Sequence, residues 1–133
     1  MVLMMNIPGL ALFYAGMVRK KNVLATSVQA FAVAALVTVL WFAVGYSLSF
    51  TEGGGLNAAI GSLSRAFGKG LLGSVHELAR TVPENVFLMY QATFAVITPA
   101  IIAGAFAERM KFSAMMWFMA LWSLIVYAPI AHW

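Results

Sequence analysis

The chain has 133 residues, of which 63% are hydrophobic and 9% are charged, and its formal net charge is +4. Soluble domains carry about 25% charged residues, so this composition argues against a soluble domain. The absence of cysteine excludes disulfides, thiolate chemistry and cysteine-based metal sites. Because no basic run with interleaved aromatic residues occurs, nothing in the sequence indicates binding to nucleic acid.

The charged residues are clumped, which leaves four windows without any aspartate, glutamate, lysine or arginine: 1–18, 22–51, 85–107 and 112–133. About 20 helical residues cross the roughly 30 Å hydrocarbon layer of a bilayer. Each window is long enough for this, or nearly so. The sequence therefore predicts an all-α integral membrane protein with four transmembrane helices.

The first predicted helix, at 1–18, is short, and Asn6 and Pro8 interrupt its apolar run. It has the pattern of the inner end of a helix whose beginning is missing. The last apolar segment runs to the final residue without a stop signal, so we expect a piece of a longer protein. The remaining predicted elements are a second helix at 26–50, an outer loop at 51–84, a third helix at 85–107 and a fourth helix at 112–133.

The loop between the second and third helices is rich in glycine and serine and is predicted to be irregular. A short surface helix is expected after residue 74, ending before Pro83. The two short loops, 19–21 and 109–111, together carry five lysine or arginine residues, and the long loop carries three. Short cytoplasmic loops are enriched in these residues. This bias predicts that the short loops are cytoplasmic and that the N-terminus is outside.

Small residues four positions apart occur in three of the apolar segments. Such pairs let membrane helices approach closely. They predict a compact bundle rather than four independent anchors, and they carry no information about chemistry. The pairs are Ala11 with Ala15, Ala30 with Ala34, and Ala100 with Gly104.

One face of the third apolar segment combines polar, aromatic and apolar side chains. Helical spacing of three and four places them on one stripe that is polar at the outer end, aromatic one turn further in, and apolar below. The stripe has the pattern of a vestibule, a gate and a dry path for a solute. Alternatively, Phe94 is ordinary core, and Gln91 and Thr98 bond to neighbouring helices. The stripe consists of Gln91, Phe94, Thr98, Ile101 and Ala105.

Five other polar residues are candidates for a role. An ionisable residue within a membrane is a functional candidate, but His132 lies near an interface, where an anchoring or hydrogen-bonding role is favoured over ligand binding. His76 is expected to be solvated. Glu52 is expected to tie down the outer loop rather than to attract cations. Glu108 and Arg109 are expected to form a mutual pair or a helix end at the inner face.

No catalytic constellation is visible in the sequence. There is no Ser–His–acid grouping, no pair of carboxylates within an apolar segment, no phosphate-binding glycine loop and no redox motif. The two histidines are too far apart to match the spacing of a metal site. The sequence predicts a protein that is not an enzyme and that binds no cofactor or metal.

Three stretches together resemble the ammonium transporter family (the Amt/Mep group, with the Rhesus proteins as distant relatives). A fourth stretch, GYSLSFTEGG, extends the similarity to the end of the second helix. The similarity is weak only within residues 56–84. The three stretches are IPGLALFYAGMVRKKNVL (7–24), AGAFAERMKFSA (103–114) and YAPIAHW (127–133).

The resemblance implies a bundle of eleven membrane helices built from two inverted repeats, assembled as a homotrimer with one pore in each subunit. This chain would supply the inner part of the first helix and helices two to four, within the plasma membrane. Ammonium would be recruited at an outer aromatic vestibule, deprotonated, and passed through a hydrophobic pore gated by phenylalanine. The resemblance also implies that loops 19–21 and 108–111 help to dock a PII-type regulatory protein.

Carried over residue by residue, the resemblance makes Phe94 one of two stacked gating phenylalanines and Tyr90 a vestibule aromatic. Gln91 then lies at the mouth, and Thr98 lies on the pore wall below. The family's recruiting tryptophan would fall two positions after Trp133, and its pore histidines lie on later helices, so His132 is not one of them. Two alternatives to transport stay open: an ammonium sensor, and an incomplete fragment without activity of its own.

Overall fold

The computed structural model describes residues 2–106 and 109–133, apart from the side chains of residues 2–4 and 6. Within these ranges the chain is helical and contains no strand. Helix α1 (Val2–Met17) is followed by α2 (Val23–Leu40), which continues through a π-helical turn into α3 (Tyr46–Phe50). After a long loop come α4 (Glu84–Ala105), α5 (Phe112–Trp122) and α6 (Ala128–His132), the last two joined by a second π-helical turn.

Three continuous helical runs in the described residues are long and apolar enough to cross a membrane. They are Lys20–Phe50 with 31 residues, Glu84–Ala105 with 22 and Phe112–His132 with 21. The apolar segment of α1 at Ile7–Met17 is shorter than these. The run that corresponds to the predicted second helix begins at Lys20 instead of position 26, because Lys20–Asn22 form a 3₁₀ turn that leads directly into α2.

The two ends of the bundle differ in their loops. The loop at residues 51–83 connects α3 to α4 at one end, which we call the long-loop end. The short connections lie together at the other end, which we call the basic end because it carries Lys20, Lys21, Arg109 and Lys111. Their proximity is shown by Tyr14 near the end of α1, which donates a hydrogen bond to the carbonyl of Ile101 near the end of α4 (2.8 Å).

Helices α2 and α4 pack against each other and against α1 and α5, and α4 is the most deeply buried of the three membrane-length runs. The buried face of α4 is made largely of small residues, which matches the close approach of helices in a membrane, where apolar side chains gain little by leaving lipid. Gly104 is the extreme case, since a Cβ at this position would lie 2.3 Å from the ring of Tyr14. The buried core includes Val33, Val37 and Trp41 from the α2 run, Ala92, Ala95 and Val96 from α4, and Met115 and Met119 from α5.

The two π-helical turns, Trp41–Gly45 and Ser123–Tyr127, interrupt neighbouring helices at the same level. The rings of Trp41 and Tyr127 meet edge to face with centroids 6.0 Å apart. The indole Nε1 of Trp41 donates to the carbonyl of Leu88 on α4 (3.3 Å). An extra residue in a helical turn shifts every side chain beyond it, so these turns set which faces of α3 and α6 meet.

The long loop is irregular, as predicted, with several single 3₁₀ turns and four glycines at positive φ. The short surface helix expected after residue 74 is reduced to a single 3₁₀ turn, at Glu77–Ala79, which ends before Pro83 as expected. Pro83 stands as the N-cap of α4, in extended conformation. The amide of Glu84 donates to the carbonyl of Ser74 (2.9 Å), which folds this segment back over the start of α4.

Candidate functional site

The predicted stripe forms the open side of α4, facing away from the buried core. Tyr90 and Phe94 are 53% and 45% exposed, and their rings meet edge to face with centroids 5.2 Å apart. Gln91 and Thr98 are partly buried beside them, and Ile101 is exposed further along. An aromatic pair therefore lies toward the long-loop end of α4, with a more apolar surface below it.

Helical periodicity explains why these side chains share one face. The core-facing positions of α4 recur at steps of three and four and carry mostly small or apolar residues. The hydroxyl of Thr98 donates to the carbonyl of Phe94 one turn earlier (2.8 Å), so it bonds within its own helix rather than to a neighbour. Phe94 lies outside the buried core of the described residues. The transport roles assigned to these side chains stay predictions.

A fully buried carboxylate, which the sequence reasoning missed, lies at the start of the same helix. Glu84 is 0% exposed. Its Oε1 accepts a hydrogen bond from the hydroxyl of Tyr46 (2.9 Å), and its Oε2 accepts one from the hydroxyl of Ser74 (2.7 Å) and forms an ion pair with Arg65. We call these four residues the Glu84 cluster.

Local chemistry explains why Glu84 starts the helix. A carboxylate in the first turn interacts favourably with the unpaired amides and the positive end of the helix dipole. Pro83 before it is an ordinary residue at a helix start, because it lacks an amide that needs a partner. The Pro–Glu pair just before a charge-free window is the signal that could have located this residue. Its three partners have no signal, since they lie far apart in sequence.

The carboxyl end of α3 is the second polar structure at the long-loop end. Its last four carbonyls have no partner within the helix, as at every helix terminus. Each of the four lies within hydrogen-bond distance of a group outside the helix, and the first of these groups belongs to Thr51, which directly follows α3. The pairs are Ser47 with the hydroxyl of Thr51 (2.6 Å), Leu48 with the amide of Gly61 (2.7 Å), Ser49 with Nδ1 of His132 (3.1 Å), and Phe50 with Nε2 of His76 (3.1 Å).

The structure confirms the hydrogen-bonding role favoured for His132. Its Nδ1 faces the carbonyl of Ser49, and its Nε2 faces the carbonyl of Asn57 (2.9 Å). Whichever ring nitrogen carries the proton, a carbonyl is in place to accept it. The neutral ring donates to one of these two carbonyls at a time, so His132 links α6 either to α3 or to the long loop.

The prediction that His76 is solvated is wrong. Its ring stacks on Phe87 of α4, with centroids 4.9 Å apart and planes at 21°, and its Nε2 bonds to the carbonyl of Phe50. Its Nδ1 accepts from the amide of Leu78 (3.2 Å). The prediction failed because the long loop folds back and carries His76 against helices that are distant in sequence.

The remaining polar candidates give no site. Glu52 is exposed, and the loop is tied down by its neighbour Thr51, whose hydroxyl bonds to the backbone of Ser62. Arg109 is exposed, while Glu108 and the side chain of Asn6 lie outside the described residues. No group of three potential metal ligands occurs in the described part of the chain.

An open cleft of about 810 Å³ lies at the long-loop end, lined among others by Glu52, Asn57, His76 and His132. Neither Tyr90 nor Phe94 lines it. Its two histidines are already bonded to backbone carbonyls. The cleft is therefore a feature of the loop surface, separate from the aromatic stripe on α4.

A family model described as Ammonium Transporter Family matches residues 1–133. The chain belongs to the ammonium transporter family. It is 49% identical over 126 residues to an ammonium transporter of Bacillus subtilis, which covers 95% of this chain and 30% of that protein. It is 44% identical over 133 residues to a putative ammonium transporter of Methanothermobacter thermautotrophicus, covering all of this chain and 32% of that protein.

A solved structure of the same family supports the fold. The crystal structure of Candida albicans Mep2 superposes with a TM-score of 0.84 at 36% identity, covering 99% of this chain and 28% of that one. This member of the ammonium transporter family thus spans about 30% of the length of the relatives it matches. Family membership and the apolar helices together identify a multi-pass membrane protein and confirm the resemblance predicted from the sequence.

Proposed function

We propose that this chain is part of a channel-like membrane transporter for ammonium or ammonia. The observation that carries the proposal is the exposed Tyr90–Phe94 pair on α4, within a chain that matches the ammonium transporter family along its whole length. Relatives named as transporters support a role outside enzyme catalysis. The substrate class follows from the family and from the chemistry of the aromatic pair.

The energetics of the aromatic pair favour recruitment of a cation, followed by loss of a proton. A cation over an aromatic face gains roughly 0.5–2 kcal/mol. Transfer of a bare ion into an apolar medium costs far more than this. An ammonium ion attracted to Tyr90 or Phe94 would therefore pass the apolar surface below only as neutral ammonia. In this proposal Gln91 lines the mouth, Phe94 is a gate, and Thr98 and Ile101 line the wall.

The proposed architecture is a plasma-membrane homotrimer whose subunits each contain eleven helices, four of which this chain contributes. The long-loop end faces outside, as does the N-terminus, and the basic end faces the cytoplasm. The grouping of the short basic connections at one end of the bundle supports this orientation. A PII-type protein is the proposed cytoplasmic partner at 19–21 and 108–111, and failure of the purified proteins to associate in any nucleotide state would remove it.

Two other functions predict different behaviour. A sensor would keep the fold and the aromatic pair but report ammonium without needing to move it. An incomplete fragment would show neither behaviour. The match to the family along the whole chain, with relatives named as ammonium transporters, favours transport over both.

Replacement of Phe94 by alanine in the full-length protein tests the proposal. Loss of an aromatic face worth about 0.5–2 kcal/mol should weaken the apparent affinity for ammonium or methylammonium about 2- to 30-fold. Uptake of labelled methylammonium into cells, competed by ammonium, measures it. Phe31→Ala is the matched control, since Phe31 is 48% exposed on α2. Uptake and selectivity that stay unchanged in Phe94→Ala would contradict the gate assignment.

A further inference from the structure

We propose that Glu84 is a positioning residue, whose buried carboxylate pairs with the partly exposed Arg65 and so fixes the long-loop end of α4 and with it the Tyr90–Phe94 pair. The inference rests on the proposed function, because it concerns the same aromatic site. Glu84 is 0% exposed and therefore does not touch a solute in the stripe. Its effect reaches the site only through the helix it starts.

The burial of Glu84 is compensated by donors from two separate parts of the chain. Tyr46 belongs to α3 and is itself 1% exposed, while Arg65 and Ser74 belong to the long loop. Both carboxylate oxygens are engaged. A buried charge is tolerated only when it is paired and hydrogen-bonded. The Glu84 cluster therefore holds α4, α3 and the loop in one arrangement, in which no buried side-chain oxygen or nitrogen of its four residues lacks a hydrogen-bond partner.

The choice of an ion pair at this point indicates a geometric role. Well-packed apolar residues often replace a buried ion pair without loss of stability, so stability alone does not require Glu84 and Arg65. Directional bonds differ from apolar contacts in that they specify one rotation and one height of the helix. Further along α4, contacts to the core are made by apolar side chains such as Ala92, Ala95 and Val96.

The geometry of a helix carries this constraint to the aromatic pair. At a rise of 1.5 Å per residue, Tyr90 and Phe94 lie about 9 and about 15 Å along the axis from Glu84. They project from the side of α4 away from the core, whereas Glu84 projects into it. A rotation or shift of α4 that relaxes the cluster would therefore displace both rings. Two further contacts hold the first turns of α4. The ring of His76 stacks on Phe87, and the indole of Trp41 donates to the carbonyl of Leu88.

A matched control exists in the same loop. The hydroxyl of Thr51 accepts a hydrogen bond from the amide of Ser62 (2.9 Å), and its single proton faces the carbonyls of Ser47 (2.6 Å) and Ser62 (2.9 Å). These bonds tie the long loop to the end of α3, and none of them involves α4. Thr51→Val therefore weakens the loop without releasing the aromatic helix.

The test compares Glu84→Gln, the double variant Glu84→Gln/Arg65→Met and Thr51→Val in the full-length protein. The double variant removes both charges, so no unpaired charge is left buried. Size-exclusion profile and thermal melting report the fold. The transport readouts are KM for ammonium and the preference for ammonium over methylammonium. We expect a change on the order of tenfold in the folded Glu84 variants, since small errors in positioning cost up to about 10²-fold, and none in Thr51→Val.

A second readout does not depend on transport. These 133 residues contain no cysteine. Once any cysteine elsewhere in the full-length protein is replaced by serine, Tyr90→Cys adds a thiol whose rate of labelling by a membrane-impermeant maleimide reports the position of the stripe. Adding the Glu84 changes should alter this rate. Leu72→Cys, at a loop side chain that is 91% exposed, is the control and should label equally in all backgrounds.

The outcomes separate the two proposals. If the unsubstituted protein moves no ammonium but the Tyr90→Cys labelling rate depends on Glu84, the positioning role stands and the proposed function fails. If transport occurs, and the Glu84 variants have the same labelling rate, KM and substrate preference as Thr51→Val, the positioning role is overturned. If the double variant is not recovered, Arg65→Lys takes its place in both comparisons, because lysine keeps the charge of Arg65 but not its planar geometry.

Discussion

The basic end and the long-loop end of the bundle are held together by different physical means. At the basic end, α1 and α4 meet where Gly104 leaves room for the ring of Tyr14, and one hydrogen bond joins Tyr14 to Ile101. At the long-loop end, α4 is held by the Glu84 cluster, and α3 and α6 are joined through His132.

This difference follows from what each kind of contact can specify. Close packing of small residues brings two helices together but depends only on size and shape. Hydrogen bonds and ion pairs are directional, and they define one arrangement of the groups they join. The end that carries the aromatic pair is thus the end with the directional contacts. The comparison predicts that substitutions at the basic end act through volume, and those at the long-loop end through lost partners.

Adding a methyl group at the basic end should have the largest effect on stability. Gly104→Ala places a Cβ 2.3 Å from the ring of Tyr14, so that this ring must leave its place between the two helices or α1 and α4 must separate. We expect a loss of about 1–3 kcal/mol, typical of overpacking, measured as thermal unfolding of the full-length protein in detergent.

The matched substitution at Gly16 has the opposite expected sign. No atom lies within 4 Å of a Cβ built at Gly16 of α1. Alanine is favoured over glycine within a helix by up to about 1 kcal/mol, so Gly16→Ala should be neutral or stabilising. Equal melting shifts for the two alanine variants would contradict the view that volume controls the basic end.

Removal of a donor should have the next largest effect, at the long-loop end. His132→Ala leaves the carbonyls of Ser49 and Asn57 without this partner, and an unsatisfied buried group costs about 1–3 kcal/mol. Because the neutral ring donates to only one of these carbonyls at a time and the contact with Asn57 is exposed, we expect the lower part of that range. Hydrogen exchange should rise in residues 51–62, where the loop leaves α3.

His132→Gln is the control for this prediction. Its amide keeps a donor of similar reach, so it should recover part of the protection. If His132→Ala leaves exchange in residues 51–62 unchanged, the carbonyls have found other partners and the capping role is wrong.

The contrast between the two ends also explains what could be predicted from the sequence. Helical periodicity and charge-free windows are local signals, so they predicted the apolar helices and the stripe on α4. The family was predicted separately, from short stretches that resemble it. Contacts such as those of Glu84 could not be predicted, because its partners Tyr46, Arg65 and Ser74 meet only after the long loop folds back. The error for His76 has the same cause, since its carbonyl partner lies 26 positions away.

The smallest expected effect sharpens the comparison at the basic end. Tyr14→Phe removes only the hydroxyl that donates to the carbonyl of Ile101 and leaves the ring beside Gly104. Interhelical hydrogen bonds in membrane proteins average about 0.6 kcal/mol. The bond between Tyr14 and Ile101 is exposed. We therefore expect Tyr14→Phe to lower stability far less than Gly104→Ala does. A melting shift as large as that of Gly104→Ala would show that a directional bond governs this end too, and the distinction between the two ends would no longer hold.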